Sequence, residues 1–172
     1  DSYHTGAWKR RSGFIPYLNA VDAASVSCLF NFTNNTGTQF WNYRISGGTT
    51  YYSTQGTGNW TICGNGTLTA GAFCSPGILE NTLMVGDGTA TSRYTTNGTS
   101  FTGTATAPQT PFFTEYQNRL WGGTASVLSY SNIGTPTDWT NSSSFITIPG
   151  AGGINQTFKS ADRLVTSKNS GI

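Results

Sequence analysis

Charge is scarce in this chain. Only 9% of its 172 residues are Asp, Glu, Lys or Arg, and nine basic against seven acidic side chains leave a formal net charge of +2. So weak a field excludes recognition of nucleic acid or an anionic membrane surface by bulk electrostatics. Its one dense basic cluster, Lys9, Arg10 and Arg11, reads as a solvated turn or strand end. Strong helix formers are also few, which excludes a coiled coil or helical bundle. Long apolar runs are missing: the longest, Val26 to Phe30, is strand-sized and interrupted by Ser27, far short of the roughly 20 residues that span a bilayer. We therefore expect a soluble chain with no membrane partner. The stretch from Asp1 has no cationic-then-apolar leader, so any targeting segment is expected to be absent or removed. Cys28, Cys63 and Cys74 show neither CxxC nor Cys/His metal spacing, and read as small buried hydrophobes in strands rather than as one disulfide plus a free thiol.

What is abundant is small and uncharged. Thr 29, Gly 22, Ser 18 and Asn 14 make up close to half of the chain. Disorder does not follow from this, because 13% aromatic residues supply apolar area that disordered chains lack. Short strands joined by many turns remain, an all-β fold. The Asn-x-Ser/Thr triplets at Asn31, Asn34, Asn59, Asn65, Asn97, Asn141 and Asn155 are expected in so polar a composition and read as uncharged turns.

A repeat organises the chain. Phe40-Trp41 through Tyr52-Ser53 to Asn59-Trp60-Thr61 aligns with Leu120-Trp121 through Tyr130-Ser131 to Asp138-Trp139-Thr140. Each unit opens with an apolar residue and Trp, passes a Gly-containing turn such as Gly47-Gly48 or Gly122-Gly123, ends its next strand in Tyr-Ser, and closes on an aromatic. A third copy lies between them: Leu83-Met84, Tyr94 and Phe101, with Phe101 standing where the others have Trp60 and Trp139. The closing aromatics fall at 60, 101 and 139, a period of about 40 residues, the length of a four-stranded β-propeller blade. A fourth copy begins at Asp162-Arg163-Leu164-Val165.

We therefore expect a single β-propeller-like domain over 1–172, with units at 18–61, 62–102, 103–147 and an incomplete 148–172. A β-sandwich is the alternative, but nothing in a sandwich calls for an aromatic every 40 or so residues. Propellers close with at least about four blades, so three units and the start of a fourth imply a portion of a longer polypeptide or several copies completing one ring. An open ring would expose the faces of its first and last sheets.

The block Asn118-Arg119-Leu120-Trp121, followed by Tyr130-Ser131-Asn132-Ile133-Gly134-Thr135-Pro136-Thr137-Asp138-Trp139, resembles the N-R-L … Y-S-x-x-G-x-P-x-D-W blade signature of β-propeller structural proteins of tailed bacteriophages. Lys9-Arg10-Arg11-Ser12-Gly13-Phe14 is similar to that family's early basic strand, and Val26 to Phe32 with Thr49-Thr50-Tyr51-Tyr52 to its first full blade. The resemblance implies a non-enzymatic virion protein of the tail, assembling with itself or with other tail proteins. Binding of a host receptor or glycan is compatible with such a role. The loops Ser53-Thr54-Gln55-Gly56 and Thr95-Thr96-Asn97-Gly98 also resemble the Asp-box turn of sialidase-type propellers, with Gln or Asn in place of Asp.

Catalytic groups are sparse. His4 is the only histidine, which leaves a Ser-His-Asp or Cys-His site dependent on one residue near the terminus. The acidic residues, Asp1, Asp22, Glu80, Asp87, Glu115, Asp138 and Asp162, form no convincing pair for glycoside hydrolysis. Asp138 and Asp162 read as turn-capping acceptors, and Glu80 and Glu115 as blade-edge residues. Gly86-Asp87-Gly88 and Pro149 to Gly153 read as hairpin turns, since neither opens a helix as a phosphate loop does. We expect no catalytic residue, metal or cofactor. The alternative to the virion reading is a secreted carbohydrate-binding or sialidase-like propeller, for which Trp8, the one Trp outside the repeat, is the candidate sugar-stacking ring.

Overall fold

A computed structural model describes residues 24–54, 59–141 and 144–169. Those residues are all-β, as expected. Strands β1 (Val26–Thr33), β2 (Phe40–Ser46), β3 (Thr49–Thr54) and β4 (Thr61–Thr67) form the first antiparallel sheet in chain order. The second holds β5 (Gly77–Leu79), β6 (Thr82–Val85), β7 (Arg93–Thr95) and β8 (Thr102–Gly103). The third holds β9 (Thr114–Tyr116), β10 (Arg119–Thr124), β11 (Val127–Tyr130) and β12 (Phe145–Thr147), and β13 (Ile154–Ser160) pairs with β14 (Arg163–Lys168) as a hairpin. Every sheet is a meander in which each strand pairs with its sequence neighbour.

The sheets occupy 26–67, 77–103, 114–147 and 154–168. The first runs on to Thr67 because β4 pairs with β3, Tyr51 opposite Ile62 and Thr49 opposite Thr67, so a boundary at 61/62 falls inside β4. Tight turns hold the hairpins. Gly47 and Gly48 both take positive φ, +56° and +82°, the two-residue connection whose twist matches the flanking strands. In the third sheet Gly122 and Gly123 do not make the turn, contrary to the expectation from the repeat. Both lie within β10, and the turn falls at Ala125, φ +48°. The reason is packing: a Cβ at Gly122 would stand 2.8 Å from the Thr110 methyl, and one at Gly123 3.1 Å from Ile154. Likewise the stretch from Pro149 to Gly153 is not a hairpin turn, because β12 pairs with β11 and β13 with β14; it carries the chain from one sheet to the next.

Three apolar clusters lie where consecutive sheets meet. Trp41, Tyr43 and Ile45 of β2 pack with Leu83, Val85 and Phe101 of the second sheet. Leu79 and Met84 pack with Phe113, Leu120 and Trp139. Trp121 and Leu128 pack with Ile154 and Leu164 of the hairpin. Strand alternation explains the division: in β6, Leu83 and Val85 face back and Met84 faces forward, and in β10 Leu120 faces back and Trp121 forward. Short backbone links fasten neighbouring sheets. The Gly64 N–H donates to the Thr99 carbonyl at 3.1 Å and the Phe101 N–H to the Gly64 carbonyl at 2.7 Å. Ser75 exchanges similar bonds with Pro111 and Phe113, at 2.7 and 2.9 Å.

The first two sheets approach each other closely at Gly98. Its φ is +75°, its carbonyl accepts the Tyr43 hydroxyl at 2.6 Å, and a Cβ there would fall 2.2 Å from the Trp41 ring. Gly98→Ala therefore combines backbone strain with a clash against a buried indole. We expect it to lower the unfolding free energy by about 3 kcal/mol in urea denaturation; a loss under about 0.5 kcal/mol would show that the turn does not set the spacing of the sheets.

Candidate functional site

The repeat positions serve as joints between sheets. Tyr43, Met84 and Trp121 stand at the same place in β2, β6 and β10, each opposite the repeat Tyr of the next strand, so Trp41 lies two residues earlier than the position the repeat assigns it; all four face the following sheet. Tyr52, Tyr94 and Tyr130, on β3, β7 and β11, pack against the same three clusters from the next strand over. Trp41 stacks on Phe32 at 5.4 Å, and Trp121 lies 4.6 Å from the Tyr130 ring. Phe101 meets Tyr43 of the preceding sheet edge-on at 6.2 Å, and Trp139 meets Phe113 of its own unit edge-on at 5.8 Å and is buried in one cluster with Leu79 and Met84 of the preceding sheet.

The signature Asn118-Arg119-Leu120 builds a turn and its lock. Asn118 takes a positive φ, and its carbonyl accepts the Gly134 N–H at 2.8 Å. The Arg119 guanidinium donates to the Ser131 carbonyl at 2.7 Å and lies over the Tyr130 ring at 4.8 Å. The Leu120 N–H donates to the Ser131 hydroxyl at 3.0 Å, while its side chain is fully buried. Asp138 accepts the Thr140 N–H and hydroxyl at 3.1 and 2.7 Å and the Asn132 amide at 2.7 Å. The Thr140 hydroxyl and N–H, then Asn132, hold its carboxyl below the usual range. The Trp139 indole N–H donates to the Pro136 carbonyl at 2.8 Å, closing the turn. In the second sheet Asn97 does the capping, its carbonyl oxygen accepting the Thr99 and Ser100 N–H groups at 2.9 and 3.0 Å.

Trp60 departs from its counterparts. It is only half-buried, and the Arg44 guanidinium lies 4.7 Å over its ring and 4.9 Å over that of Tyr51. This is the face of the first sheet turned away from the second. Cross-strand partners Leu29, Arg44, Tyr51 and Ile62 make one row over all four strands, with Leu29 71% and Ile62 63% exposed. A shallow hollow of about 310 Å³ lies beside Trp60, lined by Leu29, Phe30, Asn31, Asn42 and Tyr43. The far face of the terminal hairpin carries one apolar pair, Phe158, 46% exposed, opposite Val165, between the polar pairs Gln156–Ser167 and Ser160–Arg163. Its inner face docks by Ile154 and Leu164 and by polar contacts, Thr157 with Thr114 and Lys159 with Glu115 at 3.4 Å.

Among the described residues, no group of three His, Cys, Asp or Glu side chains is placed to hold a metal ion, and no helix is long and apolar enough to cross a membrane. His4, Trp8, Lys9, Arg10, Arg11, Asp1, Asp22, Gln55 and Gly56 lie outside the described residues. Glu80 sits at a turn with φ +51°, and Glu115 lies in the edge strand β9.

Asp87 has a structural role that its place in a Gly-Asp-Gly run does not reveal. Its carboxylate accepts the N–H groups of Thr69, Thr89 and Ala90 at 2.6, 2.9 and 2.7 Å, tying the link between the first two sheets to the loop after β6. Burial alone would raise its pKa; these donors overcome it and hold the carboxyl well below the usual range. A folded pKa below the unfolded one means that this stabilisation is complete above about pH 4 and is lost as pH falls through the folded value. Asp87→Ala is expected to cost about 3 kcal/mol at neutral pH and to flatten the acid limb of stability measured by urea titration at several pH values. An unchanged acid limb would assign it to other carboxylates.

No protein-family model matches the chain, and neither a curated protein nor a solved structure does.

Proposed function

We propose that the chain is a non-enzymatic structural protein of a bacteriophage tail, a propeller-type component that works by assembly with copies of itself or with other tail proteins. The observation that carries the assembly reading is the contrast between inner and outer faces. Each inner sheet is buried between two neighbours, whereas the end faces present Leu29 and Ile62 on one side and Phe158 on the other. Such faces suit a further sheet of the same kind, because the inner joints use the same strand positions to meet their partners. The tail assignment is supported by the Asn118-Arg119-Leu120 to Asp138-Trp139 signature, whose members form one interlocked turn. Asp87 and Asp138 are committed to holding turns and links, in keeping with a scaffold.

The secreted carbohydrate-binding alternative needs aromatic rings free to stack on sugars. Trp41, Trp121 and Trp139 are buried, and Trp60 is covered by Arg44, so this reading has less to stand on. A glycan array discriminates: reproducible sugar binding would favour it.

Two measurements test the first reading. Mass spectrometry of purified virions is expected to find the chain among tail proteins; finding it only in a non-viral secretome would overturn the assignment. In solution, light scattering is expected to give a mass above 18.3 kDa, falling to that of one chain in the double variant Leu29→Asp, Ile62→Asp. A wild type that stays monomeric at high concentration would remove self-assembly and leave other tail proteins as partners.

A further inference from the structure

Two of the three cysteines meet across the first sheet boundary. Cys28 lies half-buried on the edge strand β1, and Cys74 is buried in the link between β4 and β5. The Cys28 thiol donates to the Cys74 carbonyl at 2.7 Å, and both cysteines are free thiols in this structure. Cys63, on β4, belongs to the same cluster, where burial pushes its thiol up to about 12. A sulfur held against its partner's own carbonyl sets the two residues side by side, which a disulfide requires.

We propose that Cys28 and Cys74 form a disulfide that clasps the edge strand of the first sheet to the lead-in of the second, with Cys63 left as the free thiol. The pair is chemically unequal. The Cys74 thiol, then the Leu29 N–H, favour the Cys28 thiolate against the opposing effect of burial, whereas Cys74 is raised by its bond to Cys28 and by burial. With oxidised glutathione as the oxidant, the Cys28 thiolate attacks one glutathione sulfur and expels the other half as a thiolate. Cys74 then loses its proton and attacks Cys28 Sγ, forming the Cys28–Cys74 bond and expelling the second glutathione thiolate. The protein gives up two protons and two electrons, and one glutathione disulfide becomes two thiols. The link closes a loop between positions 46 apart in sequence, restricting the unfolded chain.

The test uses the full wild-type chain, treated with oxidised glutathione, denatured and alkylated. The expected product has lost two hydrogens, takes one alkyl group, at Cys63, and gives a Cys28–Cys74 cross-linked peptide on chymotryptic digestion, which separates Cys63 from Cys74 at Leu68. Its melting temperature is expected to exceed that of the reduced form by about 10 °C. Cys63→Ala should retain the cross-link and Cys28→Ser should lose it. Three alkylated cysteines after oxidation, a glutathione that stays on Cys28, or a link through Cys63 would each overturn the proposal. The wild-type mapping reads the pairing whether or not either variant folds.

Discussion

The contact of the Gly98 turn with the Trp41 indole shows the constraint on which the other packing depends. Strands here run from two to eight residues, too short for a single sheet to hold its own apolar face. Stability must come from faces pressed together, and the distance between faces is set where backbone from one sheet lies beneath a ring of another. Glycine at 98 permits that at the first boundary, and Gly122 and Gly123 permit it around Phe112 and Phe113 in the third sheet. Once the spacing is fixed, Tyr43, Phe101, Trp139 and Trp121 can meet their partners at ring-contact distance. The short backbone links at Gly64 and Ser75 hold the neighbouring sheets in register.

Much of this was legible in the sequence because one unit recurs. Trp41, Met84 and Trp121 could be aligned from their neighbours alone, and they occupy equivalent strands. What the sequence pattern misplaced is tertiary in origin. Gly122-Gly123 resembles a turn by composition, yet the pair is kept small by Thr110 and Ile154, residues far enough away in the chain that no local window contains them. Asp87 resembles turn punctuation, and its Thr69 partner lies 18 positions earlier. Trp60 aligns with Phe101 and Trp139 but is not buried like them, because periodicity gives the position in a unit and not the presence of a neighbour. Cys28 and Cys74, 46 positions apart, carry no spacing signal at all.

The outer faces differ from the inner ones in a physically specific way. On β2, the face toward the second sheet carries Trp41, Tyr43 and Ile45, while the other carries Asn42 and Arg44. Arg44 is nevertheless only 7% exposed, with its guanidinium between two aromatic rings. A guanidinium held against ring faces gives up less hydration than an ammonium would, so the row Leu29–Arg44–Tyr51–Ile62 can hold a charge among apolar side chains at modest cost. An uninterrupted apolar face in its place would invite indiscriminate association.

The shortage of charge has the same origin. A sheet covered on both sides has few positions where an ionised side chain keeps its water, and the desolvation of an unpaired charge is prohibitive. Hydroxyls are the polar groups that can be buried there, provided that a nearby carbonyl accepts their proton. Thr50 donates to Gly66, Ser92 to Pro108, Thr110 to Phe112 and Thr114 to Thr157, all at least partly buried and most of them in links or edges where regular pairing stops. Thr50, Ser53, Thr95 and Thr157 sit within strands and are almost fully buried. The abundance of Thr and Ser therefore does not mark turns alone. It supplies β-branched or compact side chains that fit a pleated surface and satisfy the irregular backbone between short strands, where charged residues would have to be paired or left out.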